Sequence, residues 1–163
     1  MTLPTLSRRH MLLSLAVLVA AGDVAHAASP PALMVHKDPD CGCCDGWVEH
    51  LRRAGFDVTV RETADLAPLK VRLGVPEALA SCHTAELATE LATEPGRYVI
   101  EGHVPARAIA RLLAERPDAR GLAVPGMPAG SPGMGGAPEI YDVILFGAPG
   151  ATSYGRFRGD REV

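Results

Sequence analysis

The chain predicts a small α/β domain with a mixed central sheet and flanking helices. Three observations carry this. Stretches that alternate apolar and polar residues are interleaved with stretches of helical period. The 163 residues suit one compact domain rather than two. The 17 Gly and 14 Pro residues punctuate the chain with turns.

Ala32–His36 reads as the first strand. Lys37-Asp38-Pro39-Asp40 is a turn, with Asp40 placed to cap a helix. From Cys41 to Ala54 the apolar residues Trp47, Val48, Leu51 and Ala54 recur at helical spacing, and Gly55 ends that helix. Phe56–Arg61 alternates, giving a second strand. Asp65–Leu73 is a second helix closed by Gly74. Cys82-His83 follows a loop and precedes a further strand. Glu86-Leu87-Ala88-Thr89 repeats at once as Glu90-Leu91-Ala92-Thr93, a local duplication far too short for a solenoid. Arg97–Glu101 is a strand, and Pro105 opens a helix through Leu113 with Ala108, Ile109, Leu112 and Leu113 on one face. Val124–Pro138 is a Gly/Pro/Met loop without periodicity, Tyr141–Phe146 a strong strand, and Ser153–Phe157 a last edge strand.

The first 27 residues read as an export signal. Arg8-Arg9 is followed by a short apolar run from Met11 to Gly22 and by the small-x-small site Ala25-His26-Ala27. The paired arginines resemble a twin-arginine signal, with Sec export as the alternative. The apolar run falls short of the ~18 residues of a membrane span, so no permanent anchor is expected. The chain then divides into a signal (1–27) cleaved after about Ala27, a linker (28–33), one domain (34–158) and a tail (159–163). The expected location is the periplasm. Loss of Arg8, Arg9 and Asp23 with the signal leaves 14 basic against 18 acidic residues, a net charge of −4. That balance excludes a strongly basic nucleic-acid binder.

All four cysteines, Cys41, Cys43, Cys44 and Cys82, lie in the mature chain. Cys41-Gly42-Cys43-Cys44 sits between a strand and a helix. At a helix N-terminus the free N–H groups and the macrodipole favour a thiolate, the form that attacks disulfides and binds soft metals. Cys41 and Cys44, three apart on the first turn, can converge on one ion. Cys43 should point elsewhere, with the helix–sheet core as one destination. A structural disulfide in a C-x-x-C closes too small a loop to stabilise much. Cys82, brought near that pair, would make three thiolates. With one His that set suits zinc by ligand count, and monovalent copper accepts fewer, softer ligands. Met127 and Met134 lie in the Gly/Pro loop; their thioethers bind Cu(I) without competing protons, or else they cover the end of the sheet. His103 lies at a strand–helix junction. His83 and His36 are secondary candidates beside Cys43, and His50 should be exposed on the first helix. The Gly-rich stretch 126–136 has no Lys and no following helix, so it is no phosphate loop.

Cys41-Gly42-Cys43-Cys44-x-x-Trp47, Leu73-Gly74-Val75-Pro76, Ala80-Ser81-Cys82-His83-Thr84, Tyr98-Val99-Ile100-Glu101-Gly102-His103-Val104-Pro105 and Gly121-Leu122-Ala123-Val124-Pro125-Gly126-Met127-Pro128 follow one another in order. In these blocks, from about Met34 to Phe157, the chain resembles the family named domain of unknown function 411. Its members are small exported proteins, often labelled metal-binding or copper-resistance-associated. The resemblance implies a thioredoxin-like architecture, a copper-linked periplasmic role, and Cys82 on the loop facing Cys41 and Cys44. One departure is the doubled Glu-Leu-Ala-Thr, which lengthens the link before Tyr98; a surface bulge or longer hairpin is expected there.

The resulting expectation is a periplasmic Cu(I)-binding protein, a binder rather than an enzyme, that sequesters copper or hands it to another periplasmic copper protein. Cys41, Cys44 and Cys82 are the expected thiolate ligands, with His103, Met127 and Met134 as additions. The alternative is a thiol–disulfide oxidoreductase using Cys41 and Cys44. Against it, a third thiol, Cys82, would interfere with a redox pair but complete a metal site. A zinc-stabilised module ranks third.

Overall fold

The computed structural model describes residues 30–88 and 97–163. In chain order the elements are β1 (Ala32–Lys37), α1 (Gly42–Arg53), β2 (Asp57–Glu62), α2 (Ala67–Leu73), a short 3₁₀ turn (Glu77–Leu79), β3 (His83–Ala88), β4 (Arg97–Gly102), α3 (Ala106–Glu115), β5 (Gly121–Val124), β6 (Ile140–Gly147), β7 (Gly150–Arg158) and β8 (Arg161–Glu162). The strands form one mixed sheet in the order β2-β1-β3-β4-β5-β6-β7-β8. β1 pairs parallel with β2, and β4 with β5; the other neighbours are antiparallel. The expected α/β domain with a mixed sheet is what forms.

The period of two divides the sheet residues between two cores. Leu33, Val35, Ala85, Leu87, Ile100 and Leu122 face α1 and α3, meeting Trp47, Leu51, Ile109 and Leu112. Val99, Ala123 and Phe146 face the other way, against Leu69 and Leu73 of α2. β1 and β4 both oppose β3 and so run in the same direction. Their crossover helices lie on the same face yet step to opposite sides. The two crossovers therefore have opposite hands, and one is the left-handed form found in about 2% of such units. The consequence is that α1 and α3 both start at the same corner of the sheet. Cys41, Cys43, Cys44, Cys82, His83 and His103 gather there.

Gly74 closes α2 in the left-handed conformation, as its position after Leu73 predicts. Several details differ from the sequence reading. Asp40 does not cap α1: Cys41 holds the cap position without a side-chain bond. Instead the Asp38 carboxylate accepts the Asp40 N–H, and the Asp38 carbonyl accepts the Cys41 N–H. β1 starts at Ala32, as the strand reading has it, and runs one residue further, to Lys37. The four residues of β5 are buried on both faces, so they show no alternation. β7 is not the edge, because Arg161 and Glu162, in the stretch read as a tail, pair with it. The first Glu-Leu-Ala of the duplication lies in β3. The second copy, and with it the expected bulge, lies outside the described residues, as do the export signal and its cleavage site.

Candidate metal centre

Three loops meet at the shared corner. The first leaves β1. Lys37 is buried there, and its Nζ donates to the carbonyls of Asp38 and Pro39 and sits 3.3 Å from Asp45 Oδ1. This ties the turn before the cysteines to the first turn of α1. Cys41 and Cys44 are joined by a disulfide, with Cα atoms 5.4 Å apart. Cys44 is fully buried. Cys43, expected to point away, is only half-buried, and its Sγ lies 3.6 Å from that of Cys41. The helix turns the next residue inward instead, so Cys44 takes the core position.

The second loop enters β3 with Ser81-Cys82. Cys44 Sγ lies 4.0 Å from the Cys82 carbonyl. The sulfurs of Cys41, Cys43, Cys44 and Cys82 all lie within 4.8 Å of one another. Burial, then the charge of Cys43, push the Cys82 thiol up to about 11. Cys82 therefore holds its proton at neutral pH.

The third loop leaves β4 with Gly102-His103. The buried His103 ring has one nitrogen on each side of the site. Nδ1 is 2.7 Å from the Pro132 carbonyl, and Nε2 is 3.2 Å from Cys82 Sγ. A carbonyl only accepts, so Nδ1 carries the proton and Nε2 presents its lone pair to Cys82. Burial lowers the His103 pKa, which keeps the ring neutral. A carbonyl fixing the far nitrogen is the arrangement that orients metal-ligating histidines. His83 Nδ1 lies 3.3 Å from the same sulfur, while its buried Nε2 has no hydrogen-bond partner. Burial holds His83 well below its ordinary pKa. Its ring lies 4.3 Å from Trp47, whose Nε1–H donates to the Val104 carbonyl at 2.8 Å. Cys82, His83 and His103 thus form a second donor group sharing Cys82 with the first.

Other sequence candidates fall elsewhere. His36 points from the opposite face of β1 and pairs with Glu86 at 3.3 Å, in a cavity of about 390 Å³ with Arg61 and Arg72. Its closeness in sequence to the cysteines is undone by the strand's alternation. His50 is not exposed but half-buried: its Nε2 accepts the Ala106 N–H at 3.1 Å, capping α3. Met127 is 43% exposed and has φ +48°, an uncommon left-handed backbone for a non-glycine residue. Met134 is half-buried and follows Gly133, which presses on α1 so closely that an added Cβ would lie 2.4 Å from the Trp47 nitrogen and 2.6 Å from the Cys43 carbonyl oxygen. The Gly/Pro/Met loop is thus a cover over the cysteine helix, held by Gly133 and by the bond from His103 to Pro132.

One group has no counterpart in the sequence reading. Glu101 is fully buried on the α2 side of β4. Its carboxylate accepts from Lys70 Nζ (2.5 Å), the Ser81 N–H (2.6 Å) and Thr84 Oγ1 (2.7 Å). Burial raises its pKa while Lys70 opposes that rise. The only sequence sign was an acidic residue closing the apolar run Tyr98-Val99-Ile100.

Sulfur donors suit soft ions and imidazole suits borderline ones, so these two groups fit a transition metal once the disulfide is reduced. Comparison with known proteins agrees. A model of the family described as "Protein of unknown function, DUF411" matches residues 79–134. Two solved structures named copper resistance protein copG, form 1 and form 2, are similar to the chain at 43% identity. Each match covers 78% of this chain and 98% of that chain, with TM-scores of 0.68 and 0.69. No curated protein matches. On the strength of the site blocks and this likeness over nearly the whole of those structures, the chain belongs to the DUF411 family with the copG copper resistance proteins.

Proposed function

We propose that the protein binds copper as Cu(I) in the periplasm, sequestering it or delivering it to another copper protein as part of copper resistance. The observation that carries this is the convergence of four cysteine sulfurs within 4.8 Å beside the lone pair of His103. Cys41, Cys44 and Cys82 supply thiolates once the disulfide is reduced, and Cys43, close to Cys41, joins them. His103 adds nitrogen. Met127 and Met134, on the covering loop, add thioethers during entry or exit of the ion. The name of the similar structures supports copper over zinc. The twin-arginine-like start supports export with the signal removed after about Ala27. The order β1-α1-β2, then β3-β4-α3, supports the thioredoxin-like reading.

Anaerobic titration of the reduced protein with Cu(I) against a chromogenic competing chelator tests this. Tight binding near one or more ions per chain is expected, with a large loss in Cys41→Ser and Cys82→Ser. Undiminished affinity in both variants would overturn the thiolate assignment. Stoichiometric zinc that resists Cu(I) would favour the zinc module.

A second reading is thiol–disulfide exchange, and the Cys41–Cys44 disulfide at a helix start favours it. Insulin reduction that disappears in Cys41→Ser would support it. No turnover in the unmodified protein would dismiss it.

A further inference from the structure

We propose that Glu101 is a positioning residue that holds Cys82 against the other cysteines and His103 from behind the sheet. The inference rests on the reading of Cys82 as a ligand, but its geometry stands apart from any metal. Glu101 is buried beneath the loop that carries Cys82, on the opposite side from the sulfurs. Its Oε1 accepts the N–H of Ser81, the residue before Cys82, at 2.6 Å. The same oxygen accepts Lys70 Nζ, and Oε2 accepts Thr84 Oγ1, the second residue after Cys82, at 2.7 Å. Lys70 Nζ also donates to Thr84 Oγ1 at 2.8 Å, closing a triangle of charged bonds. One carboxylate therefore grips the chain on both sides of Cys82.

The next two residues complete the device. Gly102 has φ +71°, and a Cβ there would lie 2.7 Å from Ser81 Oγ and 2.5 Å from the Val124 carbonyl oxygen. Only glycine lets the two loops approach so closely. His103 then turns to the front and meets Cys82 Sγ at 3.2 Å. Glu101-Gly102-His103 thus fixes the Cys82 loop from behind, beside and in front. A carboxylate bond is stronger and more geometrically demanding than a neutral one, which suits a group that must hold a ligand to a fraction of an ångström.

The test uses the full chain without metal, its Cys41–Cys44 disulfide intact. The alkylation rates of Cys82 and Cys43 by iodoacetamide are read separately by peptide mass spectrometry. Glu101→Asp keeps the charge but shortens the reach. It should speed Cys82 relative to Cys43 about tenfold, the scale of losing one hydrogen bond to a charged group. Thr84→Val loosens the other side of the grip and should raise the ratio as well, by less, whereas Ser153→Ala, which removes an exposed bond to Asp142 on β6, should leave it within about twofold. An unchanged ratio in Glu101→Asp, or an equal rise in Ser153→Ala, would overturn the proposal. If Glu101→Asp does not fold, hydrogen exchange of the Ser81 amide in the unmodified protein decides. Slow exchange supports the grip, and exchange at the rate of an open loop overturns it. A protein that shows the alkylation effect yet binds no Cu(I) would refute the copper reading and leave the positioning role standing.

Discussion

His103 Nε2 lies 3.2 Å from Cys82 Sγ, while its Nδ1–H is tied to the Pro132 carbonyl. The ring therefore offers a lone pair rather than a proton at the thiol. Cys82, raised to about 11 by burial and then by Cys43, carries the proton of the pair. Metal uptake must release that proton, so Cu(I) affinity should fall as the pH is lowered. His103→Ala should weaken Cu(I) binding by about 10- to 100-fold, the range for losing an orienting or ligating imidazole. Competition titrations at two pH values check both. An affinity independent of pH and unchanged in the variant would mean that His103 only packs.

Trp47 is the single tryptophan, and its ring lies tilted against His83 with centroids 4.3 Å apart. His83 in turn touches Cys82. Copper bound at the cysteines should therefore quench Trp47 fluorescence in step with uptake, and Cys82→Ala should abolish the quenching with the fold intact. Trp47→Phe keeps an aromatic ring beside His83 but removes the bond to Val104. It should cost about 1–3 kcal/mol by urea unfolding, because a buried carbonyl loses its donor.

How much of this was legible in the sequence depended on whether the signal was local. Trp47, Val48 and Leu51 announce α1 by period alone, and Gly74 announces the end of α2. β5 was not legible: Gly121-Leu122-Ala123-Val124 is buried on both faces, so tertiary pairing defines it. At the candidate site, Cys41, Cys44, Cys82 and His103 are legible in the sequence, and the fold brings them together. Cys43 was turned the wrong way, because adjacency on a helix does not say which neighbour faces the core. His50 was misjudged because its partner, Ala106, lies 56 residues away. Glu101 is not legible for the same reason, since its partners Lys70 and Ser81 come from other parts of the chain.

Gly133 should be intolerant of any side chain. Its φ is +87°, and a Cβ would overlap the backbone of Trp47, Cys43 and Gly46. Gly133→Ala combines overpacking with left-handed strain and should cost on the order of 3 kcal/mol. It should also lift the loop that carries Pro132, and so release His103. Gly135, two residues on, meets nothing within 4 Å. Gly135→Ala should change stability by no more than about 0.5 kcal/mol. Comparable unfolding midpoints for the two variants would show that the cover does not press on α1.

Three histidines with lowered pKa values should make the fold sensitive to acid. His50, His83 and His103 all have pKa values lowered by burial. In the unfolded chain each returns to about 6.5. Above that value they are neutral in both states and cost nothing. As the pH falls below it, the unfolded chain takes up protons that the folded chain resists, so stability must drop. His50 is the clearest case, since a proton on Nε2 would remove the acceptor that caps α3, and Arg53 opposes the charge while Asp160 favours it. Metal-free protein should unfold at progressively lower urea between pH 7 and pH 5. Replacing His50 with Gln, which keeps an acceptor oxygen and does not titrate there, should flatten that decline. A urea midpoint that stays level from pH 7 to pH 5 in the unmodified protein would show that these rings take up protons without loss of structure.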